Sequence, residues 1–297
     1  MKNTLYLLAL SAIAAVSVGA QEPRAPQASD ARTRDVYVSV VDNRGVAIKG
    51  LTANDFAVRE DNIGREVLRA VPATEPLDIV ILVDDSQAAR QTIPFLRDGL
   101  TRFVERLQGK AAIGIVTVGE RPTSVADRTT DIEALKKGIS KIFARPGSGA
   151  YMLEGILDVS RGLQKREATR PVIVALTYEG IEFSNASYER VLDELHKSGA
   201  ALHVLSVGTP AGPVTDEIRN KNVVVARGTE ETGGRREQLL ADMAIPEALT
   251  KLADELLNQY VVSYARPDST VPPEKRKVTV KNPSLTARAG TRLPNTR

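Results

Sequence analysis

Leu77-Asp78-Ile79-Val80-Ile81-Leu82-Val83-Asp84-Asp85-Ser86-Gln87-Ala88 is the stretch that decides the fold. Ile79 to Val83 is apolar without alternation and rich in β-branched residues. That pattern predicts a strand buried on both faces, as in a parallel sheet. The run stops abruptly in two carboxylates and a hydroxyl, Asp84, Asp85 and Ser86. Open α/β sheets place ligands just beyond the carboxyl ends of such strands. Asp and Ser also suit a plain turn at a strand end, so this stretch alone leaves both readings open.

On its carboxyl side the pattern repeats. Ile93, Leu96, Leu100, Phe103 and Leu107 recur at three- and four-residue steps and predict an amphipathic helix, with Pro94 in its first turn and Gly109 past its end. Ala111 to Val118, Pro171 to Leu176 and Ala201 to Val207 read as further buried strands, and Val223 to Ala226 as a short fifth one. Helices are predicted after a capping box at Thr130-Asp131-Ile132-Glu133, over Tyr151 to Leu163, and from Ser187 to Lys197. Another is predicted over much of Glu237 to Leu257, kinked or split at Pro246. Strands alternating with helices give βαβ units. Right-handed crossovers then set helices on both faces of a doubly wound, mostly parallel sheet, an α/β fold of Rossmann-like form.

The flanks have a different character. Val36, Val38 and Val40 share one face of a half-exposed strand, and turns follow at Asp42-Asn43-Arg44-Gly45 and Glu60-Asp61-Asn62-Ile63-Gly64. Residues 34–72 thus form an amino-terminal β segment, 76–265 the main domain, and 266–297 a carboxyl-terminal β segment and tail. Gln259 to Tyr264 and the alternating Arg276 to Val280 are strands, and Leu285 to Arg288 adds a short one. The two ends are expected to meet in a small β layer, with Asp35–Asp42 pairing directly with Lys275–Lys281. Residues 1–20 have the form of a signal peptide, with Lys2, apolar Leu5 to Val18, and small residues at Val18-Gly19-Ala20. Residues 21–33 have the composition of a disordered leader. The expected mature chain is exported, to the periplasm or outside the cell, and no later segment is apolar for long enough to span a bilayer.

Composition narrows the chemistry. The 297 residues carry 40 Lys and Arg against 37 Asp and Glu, interspersed, which is no footprint for nucleic acid. Cysteine is absent, so disulfides, thiolate catalysis and zinc–cysteine sites are excluded. Histidine occurs twice, at His196 near a helix end and at His203 inside a buried strand, neither placed as a catalytic base. Tryptophan is absent and aromatics are 4%, too few for a stacking platform. Asp84-Asp85-Ser86 lacks the second Asp two residues on that an aspartyl phosphatase nucleophile wants, and there is no Gly-x-Ser-x-Gly elbow. Gly233-Gly234-Arg235-Arg236 reads as a glycine turn, with an anion-binding nest as its other reading.

The order of apolar strand, Asp-x-Ser, amphipathic helix, Gly-rich helix start, apolar strand and acid-Gly resembles a von Willebrand factor A domain. The resemblance runs over nearly all of the expected mature chain, and in particular to secreted bacterial proteins related to that domain. It is carried by Gly50-Leu51-Thr52-Ala53-Asn54-Asp55-Phe56, Glu231-Thr232-Gly233-Gly234-Arg235, Asn258-Gln259-Tyr260 and Arg288-Ala289-Gly290. It implies a metal-ion-dependent adhesion site built from Asp-x-Ser-x-Ser, a Thr at the Gly-rich helix start and an Asp after the later strand. Hard oxygen ligands of that kind suit Mg²⁺, with a partner's carboxylate completing the shell. Here Asp84 and Ser86 match, whereas the second Ser falls on Ala88, the Thr on Ala150 and the last Asp on Glu179.

Two of five ligand positions therefore end in a methyl group. Mg²⁺ demands near-ideal octahedral geometry and holds its waters tightly, so the remaining Asp84, Ser86 and Glu179 are expected to hold it weakly or not at all, even with Ser148 and Asp85 nearby. The resulting expectation is a secreted, non-enzymatic protein-interaction module without a required cofactor and with an unidentified protein partner. Its binding rim would comprise Asp84, Asp85, Ser86, Ala88, Ser148, Ala150 and Glu179. The alternatives are a Mg²⁺-dependent adhesion module that takes a partner carboxylate, and a hydrolase.

Overall fold

The structure is a computed structural model that describes residues 33–209, 214–267 and 272–293. The signal peptide and nearly all of the leader read from the sequence lie outside the described residues. The central strand, β5, is Leu77–Val83, and it is buried along its whole length, as its unbroken apolar run requires.

The strands before β5 are β1 (Thr33–Val41), β2 (Phe56–Glu60), β3 (Ile63–Arg65) and β4 (Val67–Pro72). After it come α1 (Ile93–Arg106), β6 (Ala111–Thr117), β7 (Thr123–Thr129), α2 (Ile132–Ser140), α3 (Met152–Lys165), β8 (Pro171–Tyr178), α4 (Tyr188–Ser198) and β9 (Ala201–Val207). The rest comprises α5 (Asp216–Val223), a π turn (Val224–Gly228), α6 (Thr229–Thr232), β10 (Arg236–Leu239), α7 (Ile245–Leu257), β11 (Tyr260–Ala265), β12 (Arg276–Val280) and β13 (Thr286–Arg288).

The main sheet has the order β10-β9-β8-β5-β6-β7, parallel except for β7 at one edge. From β5 the chain steps to β6 on one side and later to β8 on the other. The strand order thus reverses at the carboxyl end of β5, where such sheets open a crevice. One face is covered by α1, α2 and α7 and the other by α3 and α4, with the stretch from α5 to α6. Gly99 lets α7 lie close against α1: a Cβ there would stand 2.9 Å from Leu249 Cδ1 and 3.2 Å from Pro246 Cα.

Several expectations are corrected. Val223 to Ala226 is helical rather than a strand, because Val224 and Val225 turn one side of a continuous α5–π–α6 helix into the core. The segment Glu237 to Leu257 begins as the edge strand β10, and Pro246 lies in the first turn of α7, where its missing N–H costs nothing, so it starts a helix instead of kinking one. β7 was absent from the sequence reading because an edge strand with one solvent face buries little. Of its seven residues only Ala126 is buried. The cap of α2 is Asp131, whose carboxylate accepts from the N–H groups of Glu133 and Ala134, not a Thr130 box.

The ends do meet, but the expected pairing of Asp35–Asp42 with Lys275–Lys281 is not found. β1 pairs antiparallel with β11 and β13, while β12 pairs with β2, giving sheets ordered β13-β1-β11-β4 and β12-β2-β3. Around Val38, Phe56, Val58, Val262 and Tyr264 they enclose a separate apolar core. This layer lies at the amino-terminal end of the main strands: Asp35 and Tyr37 of β1, Gln259, Arg276 and Leu293 line one cavity of about 750 Å³ with Pro171 and Ala201, the first residues of β8 and β9. The expected site stands at the other end of the sheet.

Candidate functional site

Asp84, Asp85 and Ser86 follow β5 and are 1%, 2% and 2% exposed. They are therefore not a lip offered to solvent, as the sequence suggested. Asp84 folds back on its own backbone. One carboxylate oxygen accepts from Ser86 N at 2.9 Å, the other from Tyr178 N at 3.3 Å, and the Ser86 hydroxyl hydrogen-bonds it as well. Burial pushes its pKa up, against those hydrogen bonds.

Asp85 is likewise committed. Its Oδ1 accepts from Gly119 N at 2.6 Å, and its Oδ2 pairs with Arg145 Nε at 2.8 Å. Gly119 must be glycine for this, since a Cβ would stand 2.6 Å from that oxygen. Arg145 also reaches Glu120 at 3.2 Å, and its N–H donates to the Asp85 carbonyl. The ion pair clamps the loop after β5 to the loop that leads into α3.

Ala150 is buried and sewn to the loop after β8: its N–H donates to Ile181 O at 2.8 Å, and its carbonyl accepts from Phe183 N at 2.7 Å. Ala88 is exposed, with its methyl against Gly180. Ser148 is half-buried, and its hydroxyl donates to Arg145 O at 2.9 Å. Glu179 is half-buried at the rim with its side chain along Gly208.

The carboxylate electrostatically coupled to Asp84 is that of Glu182, 3% exposed, which the sequence reading did not single out. Its Oε1 accepts from Met152 N at 2.9 Å and from the Ser184 hydroxyl, while Ser184 Oγ accepts from Leu153 N at 3.1 Å. Together these two side chains cap α3, which starts on Ala150-Tyr151 without a capping side chain of its own. Glu182 Oε2 has no hydrogen-bond partner, and Lys221 Nζ from α5 stands 3.9 Å away. Burial pushes Glu182 up to about 7 although Lys221 pulls it down. The only signal for Glu182 in sequence was its place in the polar–apolar alternation Ile181-Glu182-Phe183-Ser184. Lys221, in the polar run Arg219-Asn220-Lys221-Asn222, carried none.

The oxygens that a magnesium ion would need at this turn are otherwise engaged. Asp84 turns its oxygens to backbone N–H groups, Asp85 is held by a guanidinium, and two required oxygens are methyl carbons. Among the described residues no group of three or more acidic or histidine side chains is arranged to hold a metal. Beside this closed centre the surface mixes apolar side chains with Asn185, Thr215 and Glu217. Tyr151 and Phe183 rings lie 5.9 Å apart, and with Ile181, Glu182 and Ile218 they border an open cavity of about 660 Å³.

A six-stranded sheet with this reversal point and this acid–hydroxyl turn defines a class. The chain belongs to the von Willebrand factor type A domain family, whose model matches residues 78–228. Among solved structures it is similar to a von Willebrand factor type A protein from Catenulispora acidiphila, with 10% identity, 89% of this chain and 73% of that one covered, and a TM-score of 0.51. It is also similar to proximal thread matrix protein 1 from the mussel byssus, described with a zinc-occupied MIDAS motif. There the identity is 15%, the TM-score 0.52, and the match covers 68% of this chain and 50% of that one. At these identities the likeness shows the fold alone. No curated protein sequence matches the chain.

Proposed function

We propose that the protein is an exported, non-enzymatic protein-interaction domain whose metal-ion-dependent adhesion site is degenerate, and that its partner is gripped by the apolar rim around that site. One observation carries this reading. Of the ten exposed large hydrophobic side chains among the described residues, seven stand at the carboxyl edge of the main sheet: Phe95, Phe143, Ile181, Phe183, Val214, Leu240 and Met243. Exposed apolar side chains scattered singly are ordinary, and the gathering of seven on one edge supports an interaction surface there. The partner-contacting residues are then Ala88, Glu179 and the apolar side chains, while Asp84, Asp85, Ser86, Ser148 and Ala150 shape the loops beneath them. Asp84, buried with both oxygens hydrogen-bonded, is not positioned as a nucleophile, which argues against the hydrolase reading. Export rests on the form of residues 1–20, and no helix of the described residues is long and apolar enough to cross a membrane.

The test is capture of envelope proteins by the chain from Gln21 onward, with and without a chelator, alongside Ile181→Asp and Leu240→Asp. The expected result is capture that survives the chelator and is lost in the two variants, with their circular dichroism unchanged. Loss in the chelator would instead favour the magnesium-dependent alternative. Calorimetric titration with Mg²⁺ or Mn²⁺ is expected to show no saturable heat, and micromolar binding would overturn the degenerate reading.

A further inference from the structure

Two acidic side chains, Asp84 and Glu182, are buried at the carboxyl end of the sheet, 1% and 3% exposed, and the charge of Asp84 adds to the cost of ionising Glu182. Buried charges of one sign are tolerated only with a counter-charge or by losing the charge. In the family resemblance that counter-charge is a divalent ion, and here the ligand positions at Ala88 and Ala150 cannot complete its shell. Among the described residues one Arg and one Lys are buried, Arg170 at the opposite end of the sheet and Lys221. The Lys221 ammonium, 5% exposed, stands 3.9 Å from the unpartnered Oε2 of Glu182, and its charge favours the ionised forms of both Glu182 and Asp84.

We propose that the ammonium of Lys221 is a built-in replacement for the adhesion-site cation, its single charge balancing the Glu182 carboxylate from within the chain and easing the burial of Asp84 beside it, so that the rim keeps its shape without metal. Three features support the assignment. Lys221 reaches inward from α5, on the helix that runs without break through the π turn to α6, so the ammonium is delivered by a packed element, not by a loose loop. Glu182 spends its other oxygen on the first N–H of α3, which ties the ammonium to the loops at 148–152 and 180–184 that border the apolar cavity. A divalent ion brought to the same place would meet a fixed like charge inside a low-dielectric site, where repulsion is strong. The inference rests on the metal-free reading above, but it is tested on the chain alone, without any partner.

The experiment is a thermal double-mutant cycle at pH 8 on the mature chain, wild type against Glu182→Gln, Lys221→Met and the pair, each with MgCl₂, MnCl₂ or EDTA. Wild-type Tm is expected to be the same in all three. Lys221→Met alone is expected to lower Tm by about 10 °C, because it strands two buried carboxylates. The double variant is expected to recover about half of that loss or more, since removing both partners leaves fewer uncompensated charges. If Lys221→Met does not fold, folded double variant reads the same coupling, and failure of both overturns the proposal. Additive losses with a metal-indifferent wild type would overturn the internal cation and leave the metal-free interaction domain standing. A wild-type Tm raised by Mg²⁺ would overturn both.

Discussion

His203 shows how far a single residue in this protein departs from its behaviour in water. It lies in β9, fully buried, its Nδ1 accepting from Arg235 N at 3.0 Å and its Nε2 without a partner. Burial lowers its pKa from 6.5 to about 4; of the charges that face it, Glu255 opposes the shift while Arg288 and Arg235 add to it. The unfolded imidazole takes a proton near 6.5 and the folded one does not until about 4. The fold therefore holds this contribution in full above 6.5 and loses about 3 kcal/mol as pH falls through that window. Glu182 runs the other way. Its folded pKa of about 7 exceeds the unfolded 4.5, so it stabilises the fold most below 4.5 and that contribution is lost as pH rises through 7. Urea unfolding at pH 7 and pH 4.5 is expected to show a His203→Gln variant that gains stability relative to wild type as pH falls. A constant gap between the two proteins would contradict the neutral buried imidazole.

At the scale of elements, the motifs that carried the family resemblance are joints rather than site residues. Glu231 Oε2 lies 2.8 Å from His196 Nε2, Thr232 Oγ1 accepts from Leu202 N at 2.9 Å, and Gly233 ends α6 at φ 77° against the backbone of Ala289 and Gly290. Gly234 then passes directly over β9 and delivers the chain into β10. This settles the glycine turn over an anion nest at Gly233-Gly234: the close approach is to backbone. A Cβ at Gly234 would fall 1.8 Å from Leu202 O. Gly234→Ala is expected to cost about 4 kcal/mol or more in chemical denaturation, by prising β10 from β9. A loss below about 1 kcal/mol would mean that the strands shift apart freely. In the same way Thr52 and Asp55 close a reciprocal cap, Leu51 N donates to Tyr260 OH at 3.2 Å, and Phe56 meets the Tyr260 ring edge-on at 5.6 Å.

These particulars explain what the sequence could tell. β5, β6, β8 and β9 were legible because strands buried on both faces leave unbroken apolar runs. β7 and β10 were not, because edge strands bury too little to pattern their residues. At the site the turn after β5 was legible, but its burial was not. That depends on Arg145, Glu182 and Lys221, which arrive from loops and a helix up to 137 positions away from Asp84 (221 minus 84) and whose pairing no local pattern encodes.

For the whole molecule, the small β layer is part of the fold's stability and not an appendage. Glu60, with a fully buried side chain, is held by Arg65, Tyr264 and Arg266, and Glu255, equally buried, is held by Arg288. Ending the chain at Ala265 would remove Arg266, β12 and β13, leave the Glu255 carboxylate with only Arg235 at 3.6 Å, and uncover Phe56 and Val58. The expected outcome is a fall in Tm of about 10 °C or more, or no cooperative transition. A truncated chain melting within about 2 °C of the full one would show that the layer is dispensable.

That layer also keeps one cavity far from the apolar rim. Asp35 and Leu293, near the two limits of the described chain, border the same cavity beneath the first residues of β8 and β9. Ile181, Phe183 and Leu240 stand past the last residues of β8 and β10, a full strand length away. The cavity under the first residues of β8 and β9 and the exposed apolar side chains past their last residues are thus separated by the whole thickness of the sheet's strands, so a substitution made at one reads out independently of the other.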